Sequence, residues 1–212
     1  MVELARLRKL HSVFFVVDQA LGCDFQSSPI HGLTHWSHVF RNSLLLMEEL
    51  ALFGLVNSRV KRDRVDGPEG RTMFQAQFQS PSEGLGRTLL MAFCFAFIHD
   101  TERDTEEWDV RHGIWASLWF QRHILAHLDS WNEYGLRDEL ELVSVAMNVH
   151  TIIKNKREIN HHCGGFRKPP FLVGLLLDSD RLDLPRVGIT PDPEQLFFGT
   201  LSLQVHLHLT KS

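Results

Sequence analysis

The chain has 212 residues, 43% hydrophobic and 23% charged, with a net charge of -4. That length supports one compact domain with its own core, the composition excludes wholesale disorder, and the acidic balance argues against a dedicated nucleic-acid-binding protein. The 13 histidines stand out beside a single tyrosine, and histidine is both the commonest metal ligand and the usual acid–base group near neutral pH.

Residues 1–22, MVELARLRKLHSVFFVVDQALG, join a basic front to a short apolar segment. The apolar part covers only 13–17 and no small-residue cleavage site follows, so the stretch reads as an amphipathic helix over 3–20. Cys23, Cys94 and Cys163 show no CxxC spacing, which suits a reducing interior and predicts a cytoplasmic protein. Helical spacing returns over 34–54, where SPIHGLTHWSHV sets His31, His35 and His38 at the mouth of the helix. Residues 57–86 are polar, rich in glycine and proline, and carry charges of both signs. A connection of that length is a solvated insertion or a substrate lid. Within it Phe74, Ala76 and Phe78 alternate, as one half of a small hairpin with 58–65 would.

The next helix, 86–100, holds the longest apolar run, LLMAFCFAFI, well short of the roughly 20 residues a membrane crossing needs. It closes on His99-Asp100. Two polar side chains at the end of a buried helix are expensive unless something satisfies them. They point about 100° apart, so both can reach an ion in the groove beside the helix, with other helices supplying the remaining ligands. His31 and His35 are candidates, as are His112 at the start of helix 109–128 and His150 at the end of 137–153. Asp178 and Asp180 lie in LLLDSDRLDL, where helix 171–183 closes. Imidazole with carboxylate suits zinc, iron, manganese or nickel, and the lack of a thiolate cluster removes a structural zinc site.

Each candidate has an ordinary use as well, since a lone histidine at a helix end is commonly capped or solvated. That reading is taken for His11, His123, His127, His206 and His208. His161-His162-Cys163, in the loop NHHCGGFRKPP, is read as surface or substrate contact, and Asp183 as a structural hydrogen-bond partner. The tail beyond residue 190 follows no clear pattern.

In chain order, His35, His99-Asp100 and Asp180 resemble the H…HD…D signature of the HD-domain metal-dependent phosphohydrolase superfamily. HWSHV, FIHDTER and LLDSDRLD are similar to that family's three local segments. DVRHGIWASLW and VAMNVHT resemble the additional ligand segments of its dinuclear members. The resemblance runs from about residue 31 to residue 190. It implies an all-α HD-like bundle over 1–212, with 57–86 an insertion and 190–212 a C-terminal tail. It also implies a first ion held by His35, His99, Asp100 and Asp180. A second ion would take His112, His150 and a shared Asp100. His38 stands where arginine is common and Ser179 where alanine is usual. Together with the long 57–86 segment, these departures bear on substrate recognition rather than on the ligands.

The implied activity is hydrolysis of a phosphoester of a nucleotide or small phosphorylated metabolite, by water activated on one or two divalent ions (Mn, Fe, Ni, Co or Zn). Asp100 is expected both to bind metal and to orient the attacking water. Arg103, one turn beyond, is expected to hold phosphate, with pairing to Glu106 or Glu107 as its alternative use. His31, His38 and Arg181 are candidate substrate contacts, and Arg181 has an ion pair with Asp178 as its alternative. Asp104 and Asp109 suit either a helix N-terminus or support of a ligand imidazole. Two other functions remain open: a mixed-valence di-iron oxygenase of the same fold, and a metal-bound regulatory domain without turnover. The expected partner is a small phosphorylated molecule, with no membrane or nucleic acid; a homodimer is compatible with the sequence.

Overall fold

A computed structural model describes residues 28, 30–62, 81–103, 105, 109–127, 136–153, 158 and 171–199. Five α-helices account for most of them: α1 (Leu33–Arg62), α2 (Pro81–Ile98), α3 (His112–His123), α4 (Arg137–Val149) and α5 (Phe171–Arg181). Short 3-10 turns follow at Leu125–His127 and Leu184–Val187, and the described residues contain no strand.

The most apolar part of the sequence becomes the central helix. Pro81 opens α2, where its fixed φ suits a helix start and its missing N–H has no intrahelical partner to lose. Met91, Ala92, Cys94, Phe95, Ala96 and Ile98 are then fully buried, as expected of a helix that is apolar nearly all round. It packs against α1, α4 and α5. In α4, Asp138 and Glu139 occupy the first turn and complement the positive end of the helix dipole. Leu140, Val143, Ala146 and Met147 recur at helical spacing and are buried, while Arg137, Asp138 and Glu141 face water.

Small residues set the helix spacing near the histidines. Gly113, Ala116 and Ser117 form the buried stripe of α3, which packs on α4. A Cβ on Gly113 would stand 2.5 Å from the Met147 carbonyl oxygen and 2.9 Å from the His150 ring. The missing side chain is what allows the close approach. Ser117 and Ser144 hydroxyls share a hydrogen bond of 2.9 Å across the same interface. Between α1 and α5, Asn42 donates to the Ser179 carbonyl at 3.0 Å and the Ser43 hydroxyl donates to the Ser179 hydroxyl at 2.8 Å. Ser179 therefore joins two helices inside the core through Asn42 and Ser43.

The boundaries correct part of the sequence reading. α1 continues to Arg62, so 58–62 are helical and do not form the first strand of the expected hairpin. Leu52, Leu55, Val56 and Val60 keep helical spacing through that stretch, which prolongs the amphipathic pattern past 54. α2 likewise begins at Pro81 rather than 86. Residues 63–80, which include Phe74, Ala76 and Phe78, lie outside the described residues, as do 1–27 and 200–212. No helix among the described residues is long and apolar enough to cross a membrane.

Candidate metal centre

All five helices deliver a polar side chain to one place. His31 lies in the turn before α1 and His35 in its first turn. His99 and Asp100 follow the end of α2, His112 opens α3, His150 follows α4, and Asp180 sits in the last turn of α5. The chain after Ile98 is fixed by the Thr101 hydroxyl, which donates to the Ile98 carbonyl at 2.9 Å.

The outer nitrogen of each principal imidazole is occupied. His35 Nδ1 donates to Asp183 Oδ2 at 2.6 Å, and His99 Nδ1 donates to the carbonyls of Phe95 and Ala96 at 3.0 and 3.1 Å. His112 Nδ1 donates to the Asp109 carbonyl, and His150 Nδ1 donates to the Met147 carbonyl at 2.6 Å. A carbonyl or carboxylate oxygen only accepts, so these contacts place the proton on Nδ1 and leave Nε2 with its lone pair. This is how proteins orient metal-binding histidines.

The four Nε2 atoms form two pairs. His35 Nε2 lies 3.2 Å from His99 Nε2, and His112 Nε2 lies 2.9 Å from His150 Nε2. Lone pairs that close repel unless a positive species stands between them. Around the first pair, Asp100 Oδ2 and Asp180 Oδ1 are each 3.3 Å from His35 Nε2 and 3.5 Å from His99 Nε2. Ligands about 2.1 Å from one ion at octahedral or tetrahedral angles stand roughly 3.0–3.4 Å apart, close to the 3.2–3.5 Å seen here. Around the second pair, Asp100 Oδ1 is 2.9 Å from His112 Nε2 and 3.7 Å from His150 Nε2. Asp100 thus gives one oxygen to each cluster. Among the described residues, three overlapping groups could hold a metal ion: His31, His35 and Asp100; His35, His99 and Asp180; and His99, Asp100 and His150.

The electrostatics agree. Burial disfavours a charged His35, but Asp100, Asp180 and Asp183 outweigh it and hold its pKa well above the ordinary 6.5. His99 is raised in the same way, against burial, by Asp100 and Asp180. Burial would raise the carboxyl groups, yet His99, His112, His150 and His31 hold Asp100 well below 3.8, and His35 and His99 do the same for Asp180. His150 is shifted down by burial. Two carboxylates among buried imidazoles demand positive charge, which protons or a metal ion can supply.

The clusters open into a cavity of about 380 Å³ lined by His31, His35, Asp100, His112, His150 and Asp180, together with Arg103, Arg181 and Arg186. Arg103 NH1 lies 3.1 Å from both nitrogens of the His112 ring and 3.8 Å from Asp100 Oδ1. His31 Nδ1 is 3.1 Å from Asp100 Oδ2. Arg181 lines the cavity but donates to the carbonyls of Ile153, at 2.7 Å, and Gln195, so it serves as a clamp between segments. Asp178, its expected ion-pair partner, accepts the backbone N–H groups of Phe197 and Phe198 at 2.7 and 2.9 Å. His38 corrects the sequence reading. It does not line the cavity, and its Nδ1 instead meets Asp183 Oδ1 at 2.9 Å, on the far side of His35.

Two groups named in the sequence support the candidate ligands. Asp183 was expected to make a structural hydrogen bond, and it does, but to the Nδ1 of His35 itself. Asp109 reaches His112 with its backbone carbonyl, while its carboxylate accepts the Arg111 N–H at 2.8 Å. The spacing of Asp183 three residues after Asp180 was a signal for the first; a backbone carbonyl leaves none. His123 is exposed and stacks on Trp119 at 4.7 Å, apart from the cluster. Asp104, Glu106, Glu107, His161 and His162 lie outside the described residues. Set against protein-family models, curated proteins and solved structures, the chain matches none of them.

Proposed function

We propose that this chain is a metal-dependent phosphohydrolase of the HD-domain type, cleaving a phosphoester of a nucleotide or other small phosphorylated metabolite. The observation that carries the proposal is the division of Asp100: one oxygen toward His35 and His99, the other toward His112 and His150. The ordered resemblance of HWSHV, FIHDTER and LLDSDRLD supports the same reading. A divalent ion held there would supply Lewis acidity toward water and a phosphoryl oxygen.

His35, His99, Asp100 and Asp180 would hold the first ion, and His112, His150 and Asp100 the second. The second cluster is the weaker one, because it has a single carboxylate oxygen and the Arg103 guanidinium stands beside it. Arg103 and Arg186 bring positive charge to the cavity, which suits a phosphoryl group whose negative charge is redistributed during transfer. That charge favours a phosphoester over the dioxygen chemistry that the same ligands also permit. In the reaction a water oxygen bonds to phosphorus as the ester P–O bond breaks. One water proton leaves for solvent and the departing alkoxide takes one up.

The test is metal analysis of the purified protein, then phosphate release from a panel of nucleotides and simple phosphomonoesters with Mn²⁺, Ni²⁺ or Co²⁺. Release is expected from the wild type and its loss in Asp100→Ala. Release that survives Asp100→Ala overturns the proposal; two irons with a mixed-valence spectrum and no release favour the oxygenase.

A further inference from the structure

Part of the cavity lining is aliphatic and chemically distinct from the histidines and aspartates. Ile30, Ile153, Leu184, Val187 and Ile189 supply it. Val187 is 39% exposed and Ile189 53% exposed, so branched aliphatic side chains stand in water at the mouth of a charged site. The turn that presents them is defined. Gly188 sits between them at φ 81°, its N–H meets the Pro185 carbonyl at 3.0 Å, and the Ile189 N–H meets the Leu184 carbonyl at 3.1 Å.

This wall is tied to the ligands. Arg186 Nε donates to Asp183 Oδ2 at 2.8 Å, the same oxygen that holds His35 Nδ1, and Arg186 NH2 donates to the Ile30 carbonyl. One carboxylate therefore fixes both a ligand imidazole and the two ends of the apolar wall. Two of the hydrogen-bonding side chains that line the cavity already have partners. The Thr151 hydroxyl donates to the Val110 carbonyl at 2.8 Å, and Arg181 is held by backbone carbonyls. A body rich in hydroxyl groups would be desolvated where it meets this aliphatic lining, a cost an apolar group does not carry, and an apolar lining discriminates against an added hydroxyl by up to about a hundredfold.

We propose that the site selects phosphomonoesters whose alcohol is compact and apolar, a short alkyl or a single aromatic ring, over sugar-bearing and polyol phosphates. This rests on the phosphohydrolase reading for the placement of the phosphoryl group and, of the two substrate classes named there, selects the small phosphorylated metabolite over the nucleotide. At about 380 Å³ the cavity is near the lower end of small-molecule sites, roughly 300–1,000 Å³, which suits one such group beside a phosphate.

The experiment is calorimetric binding of non-hydrolysable phosphonates to the Mn²⁺-loaded chain. Affinity is expected to climb from methyl- to propyl- to butylphosphonate, by up to about fourfold per methylene. Propylphosphonate should bind better than 3-hydroxypropylphosphonate, and phenylphosphonate better than AMP. Val187→Asn with Ile189→Asn should flatten the series, whereas Ile114→Asn, exposed on α3 and outside the cavity, should keep its slope. A flat wild-type series, a slope that survives the double substitution, tighter AMP, or no phosphonate binding at all each overturns the inference. Phosphate release from phenyl phosphate is measured separately. An intact chain-length slope without release sustains the inference and overturns the hydrolytic reading instead.

Discussion

Asp183 and Arg103 show how single residues around the two clusters act on them differently. Asp183 accepts from His35, His38 and Arg186 at 2.6, 2.9 and 2.8 Å, so it sets the tautomer and direction of one ligand without reaching the ion. Such supporting carboxylates typically contribute 10–100-fold in metal affinity. Asp183→Asn is expected to weaken the first site by about that factor and leave the second nearly unchanged, read by metal titration. Equal loss at both sites would mean that the substitution had loosened the fold rather than one ligand. Arg103 acts in the opposite sense on metal binding. Its guanidinium lies against His112 and near Asp100 Oδ1, where a positive charge repels a second dication but attracts phosphate. Arg103→Gln should tighten the second metal site several-fold while lowering phosphate release by at least tenfold; weaker second-site binding would contradict the arrangement.

At the level of helices, the spacing between α3 and α4 decides where His112 and His150 meet. Gly113 has no room for a methyl group, because the nearest atom is the Met147 backbone oxygen at 2.5 Å and backbone does not yield cheaply. Gly113→Ala should cost about 1–3 kcal/mol in stability and move His150, with loss of the second ion and retention of the first. Gly174→Ala is the matched comparison. There the added methyl meets the Phe197 ring at 2.3 Å, on the segment after α5, so stability should fall while both metal stoichiometries persist. Thermal melts and metal analysis of the two variants separate the cases. These packed elements were the legible part of the sequence, since apolar spacing located α2, α3, α4 and α5 to within a few residues. The ordered histidines and aspartates likewise marked the residues that converge. Composition hid the run of α1 to Arg62, because the helical spacing continues into a polar stretch whose composition reads as loop. Periodicity could not find the carbonyls of Phe95, Asp109 and Met147 that orient the imidazoles, since every residue carries a carbonyl. His31 and His38 were both candidate substrate contacts; His31, in the turn before α1, lines the cavity, whereas His38, inside the helix, meets Asp183 at 2.9 Å.

For the whole molecule, the cluster couples folding to protons and, under the proposed function, to metal. His35 and His99 have pKa values raised from 6.5, so in the metal-free protein their stabilising contribution is fully present below 6.5 and lost as pH rises through the raised values. Asp100 and Asp180 are held below 3.8, so their contribution is lost only in acid. His150 is lowered from 6.5, and it adds stability above that pH and loses it below. Between pH 6.5 and 8, then, the slope belongs to His35 and His99, and metal-free stability should decline. Metal binding requires those same nitrogens deprotonated, so its affinity rises over the same interval and protons are released. An ion at 100 times its dissociation constant adds about 2.7 kcal/mol. The gap in thermal midpoint between metal-loaded and chelator-stripped protein should therefore widen from pH 6.5 to pH 8. Calorimetry in buffers of different ionisation enthalpy should count the released protons. A gap that narrows with rising pH, or binding without proton release at pH 7, would show that ions bind somewhere other than His35 and His99.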